Sequence, residues 1–177
     1  MALIEVAIGL HMPDNTAFTV LTALQGLGYA ELSAVERDEV LRLRLRDGAM
    51  TAHECAQALT HAEVVFNPNK HRMGLATGDD GPDSDVVVSD DDDDTGALRA
   101  LLGARFGIRG LESLERATAW RLWEGERCAS EARLAWACRA LLANPFAQRF
   151  VVRRRPRYEE VRGQDGTSHP VGLGTGL

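Results

Sequence analysis

The chain has 177 residues, 45% of them hydrophobic, and a formal net charge of −6. That length suits one or two small domains, and the acidic balance argues against a general nucleic-acid or membrane-surface binder. No apolar run approaches the ~18–20 residues of a membrane span and no basic-then-apolar leader precedes Leu3, so a cytoplasmic protein is expected.

Leu3–Leu10 alternates, with Ile4, Val6 and Ile8 on one side, and predicts a half-buried strand. Met12-Pro13-Asp14-Asn15 turns the chain and offers Asp14 or Asn15 as a helix cap. Ala17, Val20, Leu21, Leu24 and Leu27 follow at helical spacing, and Gly28 closes that helix. Two strands are predicted next, Glu31–Glu36 and Val40–Arg46. The second sets Leu41, Leu43 and Leu45 against Arg42, Arg44 and Arg46. Asp47-Gly48 turns the chain, and Thr51 with Glu54 forms a capping box for a helix through about Ala62. Phe66-Asn67-Pro68-Asn69 breaks it, ahead of a short strand near Arg72–Ala76. The order is β-α-β-β-α-β.

Thr77–Ser84 reads as a Gly/Asp/Pro linker. Val86–Val88 then starts a second set of elements, with Asp94-Thr95 as a helix cap, Leu98, Leu101 and Leu102 on the helix, and Gly107 as its end. Leu111–Arg116 and Ala119–Trp123 are the paired strands. Ser130 caps a long helix carrying Leu134, Ala135, Cys138, Leu141 and Leu142, which Asn144-Pro145 ends. Phe150–Val152 is the closing strand, and the glycine-rich residues from Gly163 onward read as a mobile tail.

The two sets share more than their order. Gly28, Leu32, Val35, Glu36 and Arg37 recur as Gly107, Leu111, Leu114, Glu115 and Arg116 at an offset of 79, and Asn67-Pro68 recurs as Asn144-Pro145 at 77. Internal repeats govern architecture. The expected fold is therefore α+β: two β-α-β-β-α-β units of ferredoxin-like size in tandem, related by a pseudo-two-fold axis. Their boundaries are 1–76 and 85–155, joined by the linker 77–84 and followed by a disordered tail, 156–177.

Few residues point to chemistry. Asp90–Asp94, preceded by Asp79, Asp80, Asp83 and Asp85, lacks the glycine and glutamate spacing of a calcium loop and reads as a solvated loop. His53 and Glu54 would need histidine at position 57 to form a zinc-protease helix, and Gln57 stands there. Cys55, Cys128 and Cys138 lack metal-type spacing and read as buried hydrophobes in a reducing compartment. Arg149, Arg153, Arg154, Arg155 and Arg157 form a basic cluster after the last strand, read as an edge guard or a partner for the aspartates. Arg42, Arg44 and Arg46 form a basic row that needs something acidic opposite it. Trp120 and Trp123, three apart on a strand, face opposite sides.

Leu141-Leu142-Ala143-Asn144-Pro145, followed by Phe146 and Phe150, resembles the carboxy-terminal signature of the PurS family, the small subunit of phosphoribosylformylglycinamidine synthase. Asp14, Ala23-Leu24, Leu27-Gly28-Tyr29 and Val35 are similar to that family's first helix and second strand. The resemblance implies a non-catalytic subunit that bridges a synthetase and a glutaminase in purine biosynthesis. No catalytic residue, metal or cofactor is then expected. The partner-binding candidates are Arg42, Arg44, Arg46, Asn67 and Asn144, with a second copy of the chain as a further candidate partner. One departure is plain: the family's Gly-Lys pair before the third strand is Asp38-Glu39 in the first copy and Ala117-Thr118 in the second. The alternative is an assembly module with a different partner.

Overall fold

A computed structural model describes residues 1–92 and 94–163. Six strands alternate with four helices: β1 Ala2–Leu10, α1 Asn15–Gly26, β2 Ala34–Leu45, α2 Ala52–Thr60, β3 His71–Asp90, α3 Gly96–Arg105, β4 Leu111–Glu124, β5 Arg127–Cys128, α4 Glu131–Ala137 and β6 Gln148–Val161. A π-helical turn, Cys138–Leu142, extends α4. Three of the four α-helix starts follow the expected capping chemistry, whereas Thr95, at the start of α3, makes no side-chain cap and donates instead to the Leu114 carbonyl. Asp14 Oδ1 accepts from the Thr16 and Ala17 amides, Thr51 and Glu54 close a reciprocal capping box, and Ser130 accepts from the Arg133 amide. Gly28 takes a left-handed φ of 105° just past α1.

All strands belong to one antiparallel sheet in the order β5-β4-β2-β1-β3-β6. β3 pairs with β1 through His71–Leu75 and with β4 through Val86–Val88, which closes β1, β2, β4 and β3 into a four-stranded barrel. β6 follows the opposite edge of β3 along its whole length, with register shifts between Ala76, Asp80 and Ser84. Those shifts change which residues face outward. Met73 and Leu75 are outward early in β3, Val86 and Val88 late.

This architecture overturns the expectation of two tandem β-α-β-β-α-β units. The strands expected at Glu31–Glu36 and Val40–Arg46 are one strand, β2, and those at Leu111–Arg116 and Ala119–Trp123 are one strand, β4. Arg37-Asp38-Glu39 and Ala117-Thr118 contain neither glycine nor proline, and both stay in the ladder, with Asp38 opposite Ala119 and Glu39 opposite Thr118. Residues 77–84, read as a linker, lie within β3, and 156–161 lie within β6 instead of a tail. The arginines placed after the last strand therefore belong to it. The rest of that expected tail, from Gln164 onward, falls outside the described residues.

The packing explains why the halves do not separate. One core joins Ile4, Val6 and Ile8 of β1 and Leu41, Leu43 and Leu45 of β2 to α2 through Cys55 and Leu59, and to α3 through Leu102. A second joins Val86, Val88, Trp120 and Leu122 to α1 through Leu24 and to α4 through Leu134 and Ala137. Each core thus takes one helix from each half of the chain. A third, small cluster of Val40, Val87, Ala117 and Ala119 fills the barrel interior. Side chains that small leave room beside them, and charged residues occupy several of the other inward positions.

Candidate functional site

Strand alternation determines which residues enter the barrel. On β1 the outward Ile4, Val6 and Ile8 leave Glu5, Ala7 and Gly9 inside, and on β2 the outward leucines leave Asp38, Val40 and Arg42 inside. Along these two strands the pair Ala7–Val40 separates Glu5 and Arg42 from Gly9 and Asp38. Two ionic clusters result.

The first is closely matched. Glu5 accepts from Arg42 Nε at 2.8 Å and from Arg153 Nη1 and Nη2 at 2.9 and 2.8 Å, and Tyr158 donates its hydroxyl to it. Arg153 also donates from Nε to Asp85 Oδ1 at 2.9 Å, and Asp85 is fully buried. Burial alone would raise the Glu5 pKa, but hydrogen bonds from Arg153, Tyr158 and Arg42 outweigh it and hold the carboxyl down to about 2. Burial, followed by the Glu5 charge, pushes the Tyr158 phenol upward, so it stays a donor.

The second cluster is unevenly matched. Asp38, 3% exposed, accepts from Arg72 Nη2 at 3.3 Å on Oδ1, and from Arg121 and Arg155 Nη2 at 3.3 and 3.4 Å on Oδ2. Arg121 also reaches the half-exposed Glu36 at 2.9 Å, and the Arg155 guanidinium lies 4.6 Å from the centre of the Tyr158 ring. Glycines make the floor. A Cβ on Gly9 would collide with Asp38 Oδ1 and lie 2.7 Å from Arg72 Nη2, and one on Gly74 would lie 2.9 Å from Tyr158 Cβ. A cleft of about 460 Å³ opens onto the cluster.

The residues singled out from sequence are dispersed. Arg42 points inward onto Glu5 and reaches Glu115 at 3.6 Å, so the acidic group required opposite the basic row exists. Arg44 and Arg46 are exposed near the end of β2. Asn67 and Asn144 sit in turns with the same hydrogen bonds. Each Asn Oδ1 accepts from the amide two residues on, and each carbonyl accepts from the amides three and four residues on. Each Asn amide donates to the side chain four residues on, His71 Nδ1 in one turn and Gln148 Oε1 in the other. Phe146 projects from the second of these turns.

The remaining polar features serve local structure. Asp90 accepts from Gln148, Asp91 lies 3.6 Å from Arg149, and Asp94 accepts from the Gly96 amide. Asp93 lies outside the described residues. Glu54 is occupied by its capping box. Among the described residues no three His, Cys, Asp or Glu side chains are placed to share a metal ion. Burial pushes the Cys55 and Cys138 thiols up to about 12, which suppresses thiolate chemistry. Trp120 joins the second core.

Asp38, Glu5, Asp85, Arg72, Arg121 and Tyr158 were not recognised from sequence as parts of a site. The available signal was a charge at strand parity, such as Glu5 between Ile4 and Val6. That signal does not separate an exposed face from a barrel interior. No helix among the described residues is long and apolar enough to cross a membrane. Comparison of the chain with models of known protein families finds no match, and comparison with curated proteins finds none either.

Proposed function

We propose that the chain is a non-catalytic assembly module that contacts a protein partner through the turn following α4. The observation that carries this reading is Phe146, whose side chain is 94% exposed on a turn held by four hydrogen bonds. A large aromatic on a rigid support loses little freedom on docking and supplies the apolar area of an interface hot spot.

The resemblance of this same segment suggests the specific role, a cytoplasmic PurS-like accessory subunit bridging the synthetase and glutaminase of purine biosynthesis. Arg44, Arg46 and Asn67 are further contact candidates, whereas Arg42 acts inside the barrel. A different partner is the second reading, and the observation favouring it is Asp38. The family's Gly-Lys position is occupied here by a pair whose first member is buried among arginines.

The test is glutamine-dependent amidination by the cognate synthetase and glutaminase, with and without the full chain. Stimulation that Phe146→Ala abolishes supports the reading. No stimulation removes the PurS-like role, and full stimulation by the Phe146→Ala protein removes the docking turn.

A further inference from the structure

We propose that the cleft over Asp38 is a binding site for a small phosphate-type oxyanion, held by Arg72, Arg121 and Arg155. Three guanidiniums converge on one carboxylate, and every contact lies at 3.3–3.4 Å, the far end of hydrogen-bonding range. Arg121 and Arg155 share a single oxygen, Asp38 Oδ2, so their like charges are forced close together. Both side chains are largely buried, at 14% and 20% exposure, where solvent screens that repulsion poorly.

Among the described residues each of the three offers only Nη2 to a carboxylate, which leaves Nε and Nη1 as unspent donors. Planar guanidinium edges that converge in this way match the oxygens of a phosphate, which needs several donors at once. The site is also shaped for occupancy. Gly9 and Gly74 lack the side chains that would displace Asp38, Arg72 and Tyr158, and the Tyr158 ring supports Arg155 from one side.

The other charged groups around the cleft limit the ligand. Exposed Glu159 and Glu160 line it, Glu160 paired with Arg162 at 3.1 Å, and His11 contributes an imidazole. Exposed carboxylates on the lining disfavour an extended polyanion such as nucleic acid and leave a single phosphate or its monoester as the fitting class. The volume of about 460 Å³ accommodates a small organic group beyond the phosphoryl oxygens. This site is independent of the Phe146 turn, so the Phe146→Ala protein retains it.

The test is a titration of the full wild-type chain with inorganic phosphate at constant ionic strength, followed through the arginine Nε–Hε resonances. Saturable shifts confined to Arg72, Arg121 and Arg155, absent with acetate, support the site. Phenyl phosphate distinguishes the source of the group: tighter binding than inorganic phosphate assigns a monoester, weaker binding the free anion. Arg72→Gln, at the most exposed of the three, is expected to weaken binding about tenfold. Shifts at Arg42 and Arg153 alone, equal response to acetate, no saturation, or undiminished binding by folded Arg72→Gln protein each overturn the proposal.

Discussion

The two ionic clusters inside the barrel use the same residue types and differ in balance. Around Glu5 and Asp85, two carboxylates meet two guanidiniums and a phenol, the closest arginine contacts lying at 2.8–2.9 Å. Around Asp38, one carboxylate meets three guanidiniums at 3.3–3.4 Å. The first cluster is complete in itself and acts as a strut between β1, β2, β3 and β6. The second gathers three guanidiniums on one buried carboxylate, with Glu36 reaching Arg121 alone, and opens to a cleft. Charge balance and contact length therefore separate scaffold from site where residue composition does not.

The comparison can be broken most severely at the strut. Arg153→Met leaves Glu5 and Asp85 buried without their shared partner, and a loss of about 3–5 kcal/mol in urea denaturation is expected. Acid probes the same cluster. Because the folded Glu5 pKa, about 2, lies below its ordinary 4.5, its contribution is complete above pH 4.5 and drains away as the pH falls toward 2. The expected loss over that window is about 3 kcal/mol, read from urea midpoints against pH, and Glu5→Gln flattens that segment of the profile.

Gly9→Ala acts on the other cluster by forcing Asp38 and Arg72 off the β1 backbone. A loss of about 1–3 kcal/mol is expected in the same denaturation measurement. Arg72→Gln, with a 47% exposed side chain and a long contact, should stay within about 1 kcal/mol of wild type while losing phosphate affinity. A large stability loss there would make the second cluster a strut like the first. Phe146→Ala, on the surface, should stay within about 0.5 kcal/mol by thermal denaturation, so its effect on partner binding is read without a folding artefact.

Much of the local structure was legible in the residues. The capping groups Asp14, Thr51 with Glu54, and Ser130 act where they were expected, because a cap is a contact between near neighbours. The Leu41–Leu43–Leu45 stripe faces the core for the same kind of reason, a two-residue period. The continuity of β2 through Arg37-Asp38-Glu39 was illegible. Three charged residues in succession resemble a solvated turn unless the arginines that neutralise Asp38 are known, and those come from positions 72, 121 and 155. The Thr77–Ser84 segment misled in the same way. Its glycines, aspartates and proline have linker composition, yet pairing with β6 keeps it extended.

The sequence by itself determined the helices, the caps at Asp14, Thr51 and Ser130, the outward apolar stripes and the two Asn-Pro turns, all of which depend on interactions within a few residues. Only the tertiary structure decided that four strands close into a barrel, that each core draws a helix from both halves, and that charges distant in the chain meet inside. Closure depends on β3 bending so that one edge reaches both β1 and β4. That bend creates an enclosed face on which a charged residue must find a partner far away in sequence.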